Sequence, residues 1–457
     1  MSRNILSSVL TVALGLGLYT AVPAFSDAGA AHASSVKQDK EKKKPRGKSK
    51  RIKVLTPKTA KKIGKVAEFY EIKDNLGAMN VLMGLKGLYD NGKLNGYDSA
   101  IMWQYIGIIR YEMDDLNGTI EAYEKFLTHK DDVNDATVSQ MTYGLGQLYF
   151  SRGMEKEGAA QKKDILKSLG LLKKWESEST VISVGQYFFI SQVYYSLEDY
   201  KTTLKYIDTV IKEATLANLE MSESWYRTRL SAYYELQNYP MMKKTLIMLV
   251  GNWPKPAYWW QLSSTFNELN DEASFFAATE LIYLSGYFDK PTHYTMMAQI
   301  FMAQDAPIKA AWILEFAFKE KILESDKDSL KLIGQAYLMA QEYKKAIAPL
   351  SNVATLEKDY QLWMQVGQVQ QALDNLKGAA EAFDKSLAII PKKEAKDAFA
   401  LQVLKGNVLT ELRSYSKAKK AFSAADKLAT TKKQRKQMVG WHKYWNAEKK
   451  TWELMQP

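Results

Sequence analysis

The 457-residue chain has no cysteine, so disulfides, thiolate metal sites, cysteine nucleophiles and iron–sulfur clusters are excluded. Histidine is nearly as scarce. His129, His293 and His442 stand apart from one another, none in an HExxH frame and none in a motif that presents a nucleophile. Gly47-Lys48-Ser49 imitates the end of a phosphate loop, but Lys42 occupies the place of its first glycine. No convincing strand run appears, and beyond the N-terminus no segment approaches 18 uninterrupted apolar residues. No catalytic residue, metal site or cofactor is expected, and the chain reads as a non-enzyme.

What is present is helix-forming and aromatic. With 46% apolar and 25% charged residues, the chain can bury a large core, and its 27 Tyr, 16 Phe and 11 Trp suit helix seams and binding surfaces alike. The first residues have a different purpose. Arg3 precedes an uncharged apolar run from Ile5 to Tyr19, followed by small residues at Ala24-Phe25-Ser26, Ala28-Gly29-Ala30 and Ala31-His32-Ala33. That is a signal peptide, read as residues 1–26 with the later sites as alternatives, and an uncleaved anchor is the other reading. Export of a cysteine-free chain suits the periplasm of a Gram-negative bacterium.

The formal charge of +12 gathers at the ends. Residues 37–62 hold thirteen Lys/Arg against Asp39 and Glu41, and residues 431–450 hold seven against Glu448. The body between them is slightly acidic, so no nucleic-acid partner is expected. The basic linker, 27–58, reads either as a solvated disordered tether or as a segment that touches an anionic envelope surface.

From residue 59 to 430 the chain repeats. A small residue in the first helix of each unit recurs as Gly107, Gly146, Ser191, Ser231, Ser263, Ala298, Gly334, Gly367 and Gly406, a mean interval of about 37 residues. The clearest unit, Tyr360 to Pro391, places Trp363, Gly367, Ala379, Phe383 and Pro391 where the tetratricopeptide repeat (TPR) keeps its packing residues, and so resembles that family. Gln370 and Ser386 depart from the pattern, and register between residues 180 and 290 is open by a residue or two. The resemblance implies an all-α fold: a right-handed α-solenoid of about ten TPR-like hairpins. The capping segment, 431–457, carries Trp441, Trp445 and Trp452 on one helical face.

In such a solenoid the residue after each marker faces the inner groove. That position reads Ile108, Gln147, Gln192, Ala232, Ser264, Gln299, Gln335, Gln368 and Asn407, six of nine being carboxamides. Tyr111, Tyr143, Phe150, Phe188, Tyr195, Trp225, Trp260, Met302, Met364 and Gln371 are read beside them. Carboxamides offer a donor and an acceptor to an extended backbone, and rings and methionines pack on pyrrolidines, so a proline-rich protein segment is the expected ligand. A polar, helix-compatible surface without a ligand is the alternative.

The signal peptide, basic segment, cysteine-free repeats, Trp259-Trp260-Gln261-Leu262 and the stretch from Tyr287 to Gly334 look like the periplasmic TPR proteins associated with the TonB/ExbB/ExbD system of gamma-proteobacteria. That resemblance implies an adaptor assisting TonB-dependent energy transduction, with TonB, ExbB, ExbD or an associated envelope protein as partner. A structural linker to cell-wall or polysaccharide-export machinery, attached through the basic segment, is the other reading.

Overall fold

The computed structural model describes residues 53–455, and the expected signal peptide and most of the basic linker lie outside them. Among the described residues there are 21 α-helices and no strand. In chain order they are α1 (Pro57–Glu71), α2 (Asn75–Asp90), α3 (Gly96–Glu112), α4 (Leu116–Thr128), α5 (Asp135–Met154), α6 (Gly158–Glu178) and α7 (Val184–Ser196). They continue with α8 (Tyr200–Leu216), α9 (Glu223–Glu235), α10 (Tyr239–Asn252), α11 (Pro256–Glu268), α12 (Glu272–Leu284), α13 (Pro291–Ala303) and α14 (Pro307–Lys319). The last are α15 (Lys327–Met339), α16 (Tyr343–Glu357), α17 (Tyr360–Ala372), α18 (Leu376–Ile389), α19 (Ala395–Glu411), α20 (Tyr415–Leu428) and α21 (Lys432–Leu454). Odd and even helices pair as ten hairpins, and α21 is left over as the cap. The fold is an all-α, TPR-like solenoid. It divides into two compact units between Tyr258 and Trp259, each described separately below.

One turn design makes nine of the ten hairpins. Lys73, Asp114, Glu198, Gln237, Asn270, Asp305, Gln341, Asp374 and Arg413 follow the first helix with φ between 51° and 62°, the left-handed conformation. The next residue donates its N–H to the carbonyl five positions back, as Asp115 does to Arg110 and Asn375 to Gln370, which satisfies a carbonyl the helix end would orphan. In six hairpins that same residue opens the second helix. The side chains of Asp74, Asp115, Asp199, Asn238, Asp271 and Asn375 accept the N–H of the residue three further on. Asp131-Asp132 has no such part: Asn134 caps α5, and Asp132 instead receives Lys53.

Within a hairpin the helices cross where the first is smallest. A Cβ on Gly107, Gly367 or Gly406 would stand 2.1, 2.4 or 2.5 Å from the ring of Tyr123, Phe383 or Phe422, so the aromatic of the second helix lies directly on glycine backbone. Where the marker is serine, the crossing is polar: Ser263 and Thr279 share a 2.8 Å hydrogen bond inside the second unit. Neighbouring hairpins are joined by a recurring three-residue contact. The Tyr337 hydroxyl on α15 donates to Glu315 of α14 at 2.6 Å, while Lys345 of α16 reaches that carboxylate at 2.8 Å and lies 5.5 Å from the Tyr337 ring centre. Glu124, Tyr149 and Lys167 form a related contact in the first unit, where the Tyr149 hydroxyl donates to Glu124 and the Lys167 ammonium lies over the Tyr149 ring and donates to its hydroxyl oxygen at 3.1 Å rather than to the carboxylate.

Two outcomes are expected, the first from thermal unfolding. Gly367→Ala drives a methyl group into Phe383 and costs about 1–3 kcal/mol, whereas Gly170→Ala, in open space on α6, is neutral or stabilises by up to about 1 kcal/mol. The second concerns acid. Asp164, buried on α6, takes two hydrogen bonds from Arg152, at 2.8 and 2.9 Å, and one from Lys156 at 2.6 Å. The Arg152 guanidinium in particular holds its carboxyl below the usual carboxylate range. The stability this confers is complete above the unfolded carboxylate value of about 3.9 and is lost as pH falls through the lower folded one. Asp164→Asn should therefore lower stability at pH 7 and flatten its decline below about pH 4, measured by urea denaturation.

Candidate functional site

Burial along the first helices sets the register of the exposed face. Counting from the marker, positions −4, −1, +2 and +3 turn inward, as Leu330, Ile333, Ala336 and Tyr337 do around Gly334. Position +1 is left outermost, flanked by −3 and +4 on the same side of the helix. In each marked hairpin that has this turn the left-handed residue stands at +7, as Asp374 does from Gly367. Positions −3, +1 and +4 of the odd helices thus form a line of candidate contact residues in each unit.

In the first unit, Tyr111, Gln147, Phe188 and Gln192 occupy the face and are half-buried. The Gln192 amide donates to Thr228 Oγ1 at 3.0 Å, which ties α7 to α9 and leaves its carbonyl oxygen as an acceptor. Tyr143 sits with its ring centre 4.6 Å from that of Trp175 and 6.0 Å from that of Phe189, so it contributes an edge at most, and burial pushes its hydroxyl well above the usual range for tyrosine. Phe150, expected in the groove, is 3% exposed and packs edge-on against Phe189.

The fifth hairpin requires a correction of one residue. Ser231 is exposed and Ala232 fully buried, so the marker is Leu230 and the outermost residue is Ser231. Trp225 then falls at −5, a position that turns inward in most hairpins, and Arg227 and Tyr234 take the flanking places. Tyr234 is 62% exposed. A sequence signal for this existed: Asn238, the turn residue that caps the second helix, lies eight residues after Leu230, as Asp115 does after Gly107 and Asn375 after Gly367.

The second unit carries the more open face. Gln299, Gln335 and Gln368 are exposed at the outermost position of three successive first helices, and among the described residues none of the three side chains makes a hydrogen bond within the protein. Met302 and Met364 are half-buried beside them, and Asn407 donates to Glu411 one turn on at 2.9 Å. Trp260 places a ring face against Phe288 and His293, with centres 5.6 and 4.2 Å away, so its indole is partly committed to the core. Charge is nearly missing from this face. Helices α13 and α17 contain no Asp, Glu, Lys or Arg, and Lys331 of α15 lies 3.9 Å from Glu357.

The arrangement offers donors, acceptors and soft apolar surface, without a cluster suited to proton transfer. Among the described residues no three His, Asp or Glu converge where a metal ion could be held, and no helix is long and apolar enough to cross a membrane.

No protein-family model matches the chain, and no curated protein does. Among solved structures it is similar to a tetratricopeptide repeat protein from Parabacteroides merdae, at 15% identity and TM-score 0.34, over 61% of this chain and 98% of the other. It is similar also to the C-terminal part of a TPR repeat-containing protein from Cytophaga hutchinsonii, at 17% identity and TM-score 0.32, over 55% and 98% of the two chains. A third likeness is to the TPR2AB domain of yeast Sti1 in its pHSP90 complex, at 10% identity and TM-score 0.30, over 63% and 99%. The description of the hairpins as TPR-like rests on their own turns and crossings.

The absence of native cysteine makes the register directly measurable. A single cysteine at Ser231, Gln335 or Gln368 should react with a maleimide as a free surface thiol does. One at Ala232 or Phe150 should react at least about tenfold slower, limited by opening of the hairpin.

Proposed function

We propose that the protein is a non-catalytic adaptor that holds an extended, proline-rich segment of a partner on its first-helix face. The observation that carries this reading is the row of Gln299, Gln335 and Gln368, three exposed amides on successive first helices with no partner among the described residues, flanked by Met302 and Met364. A carboxamide pairs with the N–H and C=O of an extended backbone without needing charge, and methionine adapts its shape to whatever ring or side chain it meets. The lack of charge on α13 and α17 agrees with a neutral ligand. A polyproline conformation is already ordered before binding, so little conformational entropy is lost on docking.

Location and partner come from the sequence resemblance. The adaptor acts in the periplasm after removal of residues 1–26, and its partner is TonB, ExbB, ExbD or a protein assembled with them. Its role is to assist TonB-dependent energy transduction.

A photo-reactive amino acid at Gln335 or Gln368, in intact cells of the native host, should capture one of these proteins, identified by mass spectrometry. Capture should fall when Gln299 and Met364 are changed to alanine, with the hairpins still folded by circular dichroism. Capture of wall-synthesis or polysaccharide-export proteins at these positions, insensitive to those changes, would overturn the assignment.

A further inference from the structure

The last hairpin and the cap carry much more positive charge than the cap alone shows. Residues 392–455 hold sixteen Lys/Arg against six Asp/Glu, a net +10. Within this end of the second unit lies a cleft of about 700 Å³ between α19, the end of α20 and the first half of α21. Its floor is apolar, with Phe399, Val403, Leu404 and Trp441, and Lys396 and Lys433 stand at its rim.

The cleft exists because α21 leans over the first-helix face. Val403 and Thr410, at −3 and +4 from Gly406, are 5% and 2% exposed, whereas Met364 and Gln371 at the same places of the preceding hairpin are half-buried. Trp445 pins the cap there: its indole N–H donates to the Tyr415 carbonyl at 3.1 Å, and the Tyr415 hydroxyl returns a hydrogen bond to the Glu448 carbonyl at 3.1 Å. The open face thus ends in a walled recess.

Its charge is unbalanced. No acidic residue lines the cleft, and among the described residues neither Lys396 nor Lys433 has an acidic partner. Asp397, adjacent to Lys396 in sequence, accepts the Tyr360 hydroxyl at 2.9 Å. An apolar recess with two uncompensated ammonium groups at its mouth matches a ligand that brings a bulky apolar side chain and carboxylates together.

We propose that this cleft is a second docking site, taking a partner segment in which a large apolar side chain is flanked by Asp or Glu. The side chain enters between Phe399, Val403 and Trp441, and the flanking carboxylates pair with Lys396 and Lys433. An anionic lipid surface shares the charge but not the shape. A flat bilayer would engage protruding lysines and leave the floor untouched, whereas the volume lies below the rim. The site is independent of the amide row, since it selects for negative charge where that row has none.

The test is fluorescence anisotropy on the full mature chain with a labelled peptide, Gly-Asp-Glu-Phe-Asp-Glu-Gly, against a control with Asn and Gln in place of the acids. The acidic peptide should bind at least about tenfold more tightly than the control, and more weakly as salt rises. Both Lys396→Glu/Lys433→Glu, made on exposed positions, and Ala400→Trp, which fills the recess, should reduce binding by about tenfold or more. Gln299→Ala/Gln335→Ala/Gln368→Ala should leave it unchanged, which separates this site from the amide face. Binding that survives Ala400→Trp in a folded protein would mean only general attraction to a +10 surface, and would overturn the proposal. So would equal binding of both peptides, or capture of phosphatidylglycerol vesicles that Lys396→Glu/Lys433→Glu abolishes and Ala400→Trp does not.

Discussion

The structure depends on how closely two helices can approach at one point. Where Phe383 rests on the bare backbone of Gly367, the crossing leaves room for nothing more than a hydrogen at that position. Once the marker is pressed against the second helix, the helical period places +2 and +3 against the hairpins on either side and forces +1 outward. The glycine contact therefore determines both the core and the exposed face. Ser191 and Ser263 make the same crossing with a hydroxyl, each finding an acceptor or a shared hydrogen bond, so the geometry persists where the residue does not.

Helix content, hairpin order and the cap were legible in the sequence because each rests on local chemistry. Trp363, Gly367 and Phe383 announce one hairpin, and Trp441, Trp445 and Trp452 one buried face, since Trp445 lies in the core with the other two packed against it. Marker position was legible wherever that residue was small. It failed at Leu230, where a large residue fills the place of a small one and Ser231 beside it looks more like a marker. The Schellman-type turn offered a better ruler, because a left-handed residue followed by Asp or Asn sits at a constant distance from the crossing. Groove membership was only partly legible: Phe150 and Gln147 are three residues apart and both fall on the outward side by period, yet Phe189 covers the former. Long-range packing of that kind leaves no periodic trace.

The two faces of the second unit divide their chemistry sharply. Its odd helices α13 and α17 present amides, methionine and threonine, while the ion pairs that join hairpins, such as Glu315 with Lys345, lie toward the even helices. Charge thus serves cohesion on one side and is sparse on the other, where Lys331 is paired with Glu357, until the last hairpin, where uncompensated lysines return at the edge of a recess.

Apart from the Lys53–Asp132 ion pair, the strong contacts join residues within one hairpin or between a hairpin and its neighbour, so the chain has few distant partners to find. Such a topology closes small loops and acquires structure in the order in which it is made or threaded, each hairpin resting on its predecessor. The cap reverses that economy. Until residues 432–454 dock, Phe399, Phe422 and Tyr415 have no roof, and the last hairpin exposes its apolar face. Docking of α21 is therefore the step that closes this hydrophobic cluster, and an undocked α21 leaves an aromatic surface that the folded unit covers.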